Sequence, residues 1–121
     1  MIIDLTLISG FIKPHVDSVR YCGTTISGIS LLSESVMKLV QTVEGNSTTD
    51  DYRNQPDKDI PENTKDLYSV KIHLKRYSLY VMSNSARYNF THEILKNEES
   101  IFKNNQIKKN RRISIICRNE P

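Results

Sequence analysis

A chain of 121 residues, with 17 Lys and Arg against 14 Asp and Glu, carries a formal net charge of +3. That length suits one domain with a core of its own, and the charge is too mild to argue for nucleic acid by itself. Cys22 and Cys117 have neither zinc spacing nor the density of a disulfide framework, and no apolar run approaches membrane-spanning length, so a reducing compartment and no membrane insertion are expected.

Ile3, Leu5 and Leu7 alternate with Asp4 and Thr6, which predicts a half-buried strand ending at Ser9-Gly10. Met1 to Ile8 therefore reads as a strand and not as a targeting peptide. Phe11 to Asp17 resumes extended structure, short or at a sheet edge, because Pro14 cannot donate a ladder hydrogen bond. Tyr21-Cys22-Gly23 predicts a turn. Thr24 to Leu32 is rich in β-branched residues, with a bend or bulge expected at Gly28. Ser33-Glu34-Ser35 turns the chain into Val36 to Val40, another strand.

From Glu44 to about Asp66 both periods break and little is offered for burial, so a mobile acidic surface loop is expected there. Strand pattern returns at Tyr68 to Leu74, and Lys75-Arg76 turns into Ser78 to Met82. Asn84 to Asn89 reads as a loop and Phe90 to Leu95 as a strand. Lys96 to Asn110 is polar and basic, a loop with one helical turn around Ser100-Ile101-Phe102. In the last strand, Arg112 to Arg118, Ile113, Ile115 and Cys117 alternate with Arg112, Ser114, Ile116 and Arg118. About eight short strands and no convincing helix predict an all-β domain, a sandwich or barrel for which the jelly roll is the eight-strand solution.

The most informative stretch is Pro14-His15-Val16-Asp17. Residues two apart on an extended backbone point to the same side, which brings one imidazole and one carboxylate together. A distant histidine would complete a 2-His-1-carboxylate face, the arrangement that holds non-haem iron(II) with open positions. His73 shares the polar side of its strand with Ser69, Lys71 and Lys75, so a solvated histidine is expected there. His92 follows Phe90-Thr91 and is the preferred third ligand.

A 2-oxoglutarate-dependent iron oxygenase also needs a cation for the far carboxylate of its co-substrate. Arg112 and Arg118 are an even number of residues apart, and a guanidinium binds a carboxylate by two parallel hydrogen bonds. Lys108, Lys109, Arg111 and Arg112 fit an ordinary solvated charge run equally well. Tyr80, between Leu79 and Val81, reads as a core tyrosine or as a hydroxyl on the co-substrate.

The ordered set His15-Val16-Asp17, Ser85-Ala86-Arg87-Tyr88 running into His92, and Arg112 to Arg118 as R-x5-R resembles the AlkB family of iron(II)/2-oxoglutarate dioxygenases. Gly10 to Ser18, Ser30-Leu31-Leu32-Ser33, His92-Glu93-Ile94-Leu95 with Glu98-Glu99-Ser100, and Arg111 to Arg118 look most like a mitochondrial member. The resemblance implies a double-stranded β-helix (jelly-roll) core over residues 1–121 as a single catalytic domain, with the N-terminal part of the usual domain missing. It implies iron(II) on His15, Asp17 and His92, and 2-oxoglutarate held by Arg112 and Tyr80 with Arg118 in support. Dioxygen is the other co-substrate, and no catalytic residue is implied beyond the metal centre. Asp4 and Thr6 match best the positions where the family often has an asparagine and a tyrosine on the co-substrate. The implied reaction oxidises a C–H or N-methyl group of a protein or RNA substrate, with Lys103 to Arg112 holding phosphates in the RNA case. A monomer in the mitochondrial matrix is expected, although the chain shows no targeting peptide. The alternative is a truncated, catalytically weak core acting as a binding or regulatory protein in mitochondrial metabolism and cell death.

Overall fold

The computed structural model describes residues 1–5, 10–42 and 67–121; the expected acidic loop from Glu44 to Asp66, and Thr6, lie outside the described residues. The strands are β1 (Ile2–Leu5), β2 (Ile12–His15), β3 (Ile26–Leu31), β4 (Ser35–Gln41) and β5 (Ser69–Leu74). They continue with β6 (Leu79–Met82), β7 (Phe90–Ile94), β8 (Ile101–Phe102), β9 (Asn105–Gln106) and β10 (Arg112–Arg118). Two four-stranded sheets result, in the orders β1-β10-β3-β6 and β2-β7-β4-β5, with antiparallel pairing throughout. The all-β expectation is met, and the arrangement is consistent with a jelly-roll-like core.

Strand periodicity explains why the two sheets face each other. In β10, Arg112, Ser114 and Ile116 are buried, while Ile113 and Ile115 are only half-buried. Ile26, Gly28 and Ser30 do the same in β3. One apolar cluster joins Cys22, Ile26, Met82 and Ile116; a second joins Met37, Leu39, Leu74 and Ile94. Tyr80 packs against both and so bridges the sheets. Each such buried side chain contributes roughly 1.5–3 kcal/mol, which holds the layers together.

Three local expectations are corrected. The first is Gly28, which makes no bulge: it pairs in unbroken register with Ile116 on one side and Tyr80 on the other. A Cβ there would run into the ring of Tyr80, so close approach is what requires glycine. Second, Asn84 to Asn89 contains a one-turn helix, α1 (Asn84–Tyr88), too short to display a helical period. Third, residues 96–110 carry a 3₁₀ turn at Asn97–Glu99 followed by the β8–β9 hairpin. Lys103 and Asn104 turn that hairpin at φ 48° and 66°, the two positive values of a type I′ turn. The segment is ordered because it covers the outer face of β4, where Val36, Leu95 and Ile107 are buried together with Phe102 against them.

Pro14 behaves as expected. It lies in β2, an edge strand whose register slips between Ile12 and His15.

Candidate metal and anion site

The β2–β7 pairing sets His15 directly opposite His92, and their ring centroids are 4.1 Å apart. Asp17 follows two residues after His15, in the extended exit from β2. Ligand atoms of His15, Asp17 and His92 all lie within 4.8 Å of one another. His73 is elsewhere: its Nε2 is 2.8 Å from Glu34, and its ring lies 5.5 Å from Phe102. It is thus half-buried and paired, not the solvated histidine expected, and it takes no part in the cluster.

The hydrogen-bond pattern is one that a metal face could use. His15 Nδ1 lies 2.8 Å from the Lys13 carbonyl. A carbonyl only accepts, so Nδ1 donates, as the outer nitrogen of a metal-ligating imidazole usually does. In the neutral ring this leaves Nε2 with a lone pair, 3.2 Å from Asp17 Oδ1. Two lone-pair donors at that separation call for a proton or a cation between them.

Ionisation is tuned accordingly. Burial, followed by the His15 charge, lowers the His92 imidazole from 6.5 to about 4, so it is neutral and able to ligate at physiological pH. Burial alone would raise the Asp17 carboxyl. The hydrogen bond that a protonated His15 ring donates, and the positive charges of the protonated His92 and His15 rings and of Arg118, outweigh it and hold the group below its ordinary 3.8.

A cavity of about 250 Å³ opens between the sheets and is lined by all three candidate ligands. The inner face of β10 supplies much of its opposite wall. Arg112 is 1% exposed, donates through Nε to Ser30 Oγ at 3.0 Å, and presents a buried Nη2 with no partner among the described residues. Tyr80 lines the same cavity, and burial raises its hydroxyl above the ordinary 10, leaving it protonated and able to donate. Arg118 stands at the other end of β10, with Nε 3.7 Å from Asp17 Oδ2, and so lies beside the candidate ligands. The structure thus brings all six predicted site residues to one cavity.

The charge-run alternative does not describe this end of the chain. Arg112 and Lys109 are buried, and Arg111 faces out in a 2.8 Å ion pair with Asp4. That pairing also removes Asp4 from the co-substrate position that was matched to it; its neighbour Ile3 lines the cavity instead. Two contributors carry no signal of their role in the sequence. Ser30 seats Arg112, and Arg87 is buried beside the metal face, bonded to backbone carbonyls. Contacts to main-chain atoms leave no residue-type signature, so no spacing could have disclosed the second.

Comparison with known proteins bears on this geometry. Over 112 residues the chain is 48% identical to a mouse protein named alpha-ketoglutarate-dependent dioxygenase alkB homolog 7, mitochondrial, and 45% identical to the bovine protein of that name. The resemblance to the AlkB family holds. The matches take in 93% of this chain but only 41% of each of those relatives. An uncharacterised protein of Acanthamoeba polyphaga mimivirus is 32% identical over 108 residues, 89% of this chain and 41% of its own length. No family model matches.

Proposed function

We propose that this chain is the catalytic core of an AlkB-type, iron(II)- and 2-oxoglutarate-dependent dioxygenase acting in mitochondria. The observation that carries the reading is one cavity lined by the lone-pair-rich cluster His15, Asp17 and His92 and, across from it, by the buried Arg112, whose Nη2 has no partner among the described residues. The names of the mouse and bovine relatives support both the chemistry and the compartment.

The donor set fits the metal: two imidazoles and one carboxylate suit iron(II) and leave coordination positions for other ligands. Arg112 fits the far carboxylate of 2-oxoglutarate, since a buried guanidinium needs an anion and its fork geometry matches a carboxylate. Tyr80 adds a hydroxyl donor on that side, and Arg118 places a positive charge beside Asp17. Bound iron(II) supplies dioxygen activation coupled to decarboxylation of 2-oxoglutarate to succinate and carbon dioxide, with oxidation of a substrate C–H or N-methyl group. Ile3, Ile12, Ile26, Met37, Ile94 and Ile116 line the cavity and exclude water from it. Of the basic residues from Lys103 to Arg112, Lys109 and Arg112 are buried and Arg111 is paired with Asp4, which leaves Lys103 and Lys108 as the exposed cations of that stretch that Asp4 does not pair.

The test is an anaerobic titration with iron(II) and 2-oxoglutarate, followed by oxygen and an assay of succinate. A visible charge-transfer band that needs both ligands, and succinate release on oxygenation, are expected. No band would overturn the assignment of the site. A band without succinate would identify the binding or regulatory protein instead.

A further inference from the structure

Arg87 is 2% exposed, yet among the described residues no carboxylate is bonded to its guanidinium. Nε donates to the Gly23 carbonyl at 2.9 Å, one terminal nitrogen to the Asp17 carbonyl at 2.8 Å, and the other to the Cys22 carbonyl at 3.2 Å. Burying a cation against neutral acceptors is costly unless its hydrogen bonds are well made. Here every nitrogen of the fork is used, and all three bonds go to one short segment, residues 17–23.

That segment begins at the carboxylate ligand. Arg87 sits in α1, and the chain leaves α1 directly into β7, which carries His92. The clasp therefore ties the element leading to the third ligand to the backbone of the second. On its far side the segment is pinned by the Gly23 amide, which donates to the Asn119 carbonyl at 2.8 Å. Gly23 has no room for a Cβ against Asn119 and Glu120. Asp17 is thus fixed through its main chain, independently of whatever its carboxylate binds.

We propose that Arg87 is a positioning residue of the metal centre: by clasping the carbonyls of Asp17, Cys22 and Gly23 it holds the Asp17 carboxylate on the His15–His92 face before metal arrives. The proposal rests on the metal-centre reading above. A lysine has a single nitrogen and cannot reproduce the three-way fork. Arg87→Lys should therefore loosen the segment while keeping the charge.

Cobalt(II) alone is a suitable probe, because its visible absorption reports ligand geometry without turnover. In Arg87→Lys the cobalt dissociation constant should rise by roughly 10–100-fold, the range typical of groups that orient metal ligands, and the visible band should change shape. Ile107→Ala is the control, since it weakens the outer cluster of Val36, Leu95 and Ile107 away from the site. It should lower the melting temperature yet bind cobalt as the unaltered protein does. Unchanged affinity and spectrum in Arg87→Lys, or an equal loss in Ile107→Ala, would overturn the positioning role and leave the metal centre standing. No cobalt binding by the unaltered protein would overturn the metal centre, and this role with it. Should Arg87→Lys not fold, hydrogen exchange on the unaltered, metal-free protein decides. Slow exchange of the Arg87 Nε proton, which the Gly23 carbonyl accepts, supports a preformed clasp when seen without cobalt; slow exchange gained only on adding cobalt overturns it.

Discussion

The two walls of the cavity are incomplete in opposite senses. On the β2–β7 wall His15 Nε2 and Asp17 Oδ1 lie 3.2 Å apart and His92 is held neutral by burial, so lone pairs are in excess. On the β10 wall Arg112 Nη2 is buried with no acceptor among the described residues, so N–H donors are in excess. The first wall calls for a cation and the second for an anion. A ligand that chelates a metal at one end and offers a carboxylate at the other answers both at once. β10 reaches both ends: seven residues at about 3.3 Å each carry Arg112 to one end of the wall and Arg118 to the other.

The comparison breaks most sharply at the metal wall. His15→Ala, Asp17→Ala and His92→Ala should each weaken iron(II) or cobalt(II) binding by roughly a hundredfold or more, beyond what loss of an orienting group costs. His73→Ala should leave it unchanged, since His73 is bonded to Glu34 outside the cluster. Equilibrium metal titration checks all four. Full metal occupancy in the His92 variant would mean that the cluster is not the binding face.

The anion wall should fail separately. Arg112→Lys keeps a charge but loses the two-pronged geometry, and breaking a buried charged pair costs on the order of 2–5 kcal/mol, roughly thirtyfold or more in 2-oxoglutarate affinity. Metal affinity should survive, because the ligands belong to the other sheet. Arg111→Lys, in an exposed pair with Asp4, should change 2-oxoglutarate affinity little. Side-by-side charge-transfer titrations read the difference, and equal small effects would place the carboxylate elsewhere.

How much of this is legible in the sequence follows from the range of each signal. H-x-D and the alternation from Arg112 to Arg118 are local, period-two patterns, so the side each residue takes can be read directly. The partnership of His15 with His92 is a register between strands far apart in sequence. The polar setting of His73 ranks His92 above it, but no spacing along the chain sets such a register. The segment from Leu95 to Ile107 resembles a polar loop because its apolar residues are few. Its order comes from Val36, which needs a cover on the outer face of β4. Asp4 matches a family position by count, yet its outward register with Ile113 places it beside Arg111. Arg87 stands in a motif with no role visible there, because its partners are carbonyls that any sequence provides.

The walls should also differ in their response to acid. The folded value of His92, about 4, lies below its unfolded 6.5, so folding favours the neutral ring. Its contribution is therefore present above pH 6.5 and is lost as pH falls through about 4. At about 1.4 kcal/mol per pH unit this amounts to about 3 kcal/mol. Asp17 is depressed as well, so its share is present above 3.8 and is lost at still lower pH. Urea unfolding of the metal-free protein at pH 7, 5.5 and 4.5 should show a steady decline that His92→Gln flattens. Equal decline in the variant would assign the acid sensitivity to other groups.

The smallest expected effect sharpens the anion wall through Gly28. An added methyl there would overlap the distal ring atoms of Tyr80, so Gly28→Ala must shift either the ring or β3. Overpacking of this kind costs roughly 1–3 kcal/mol, and moving the ring also takes its hydroxyl from the cavity. Tyr80→Leu removes the atoms that Gly28 accommodates. If close approach is the reason for the glycine, Gly28→Ala should be costly in the parent chain and nearly neutral in the Tyr80→Leu background. Residues in contact are where such non-additivity is expected. A bulge or bend would give a different result, because backbone geometry does not depend on the side chain across the pair. Equal cost in both backgrounds, measured by urea unfolding, would therefore restore the backbone explanation and leave Tyr80 free to move without consequence for Gly28.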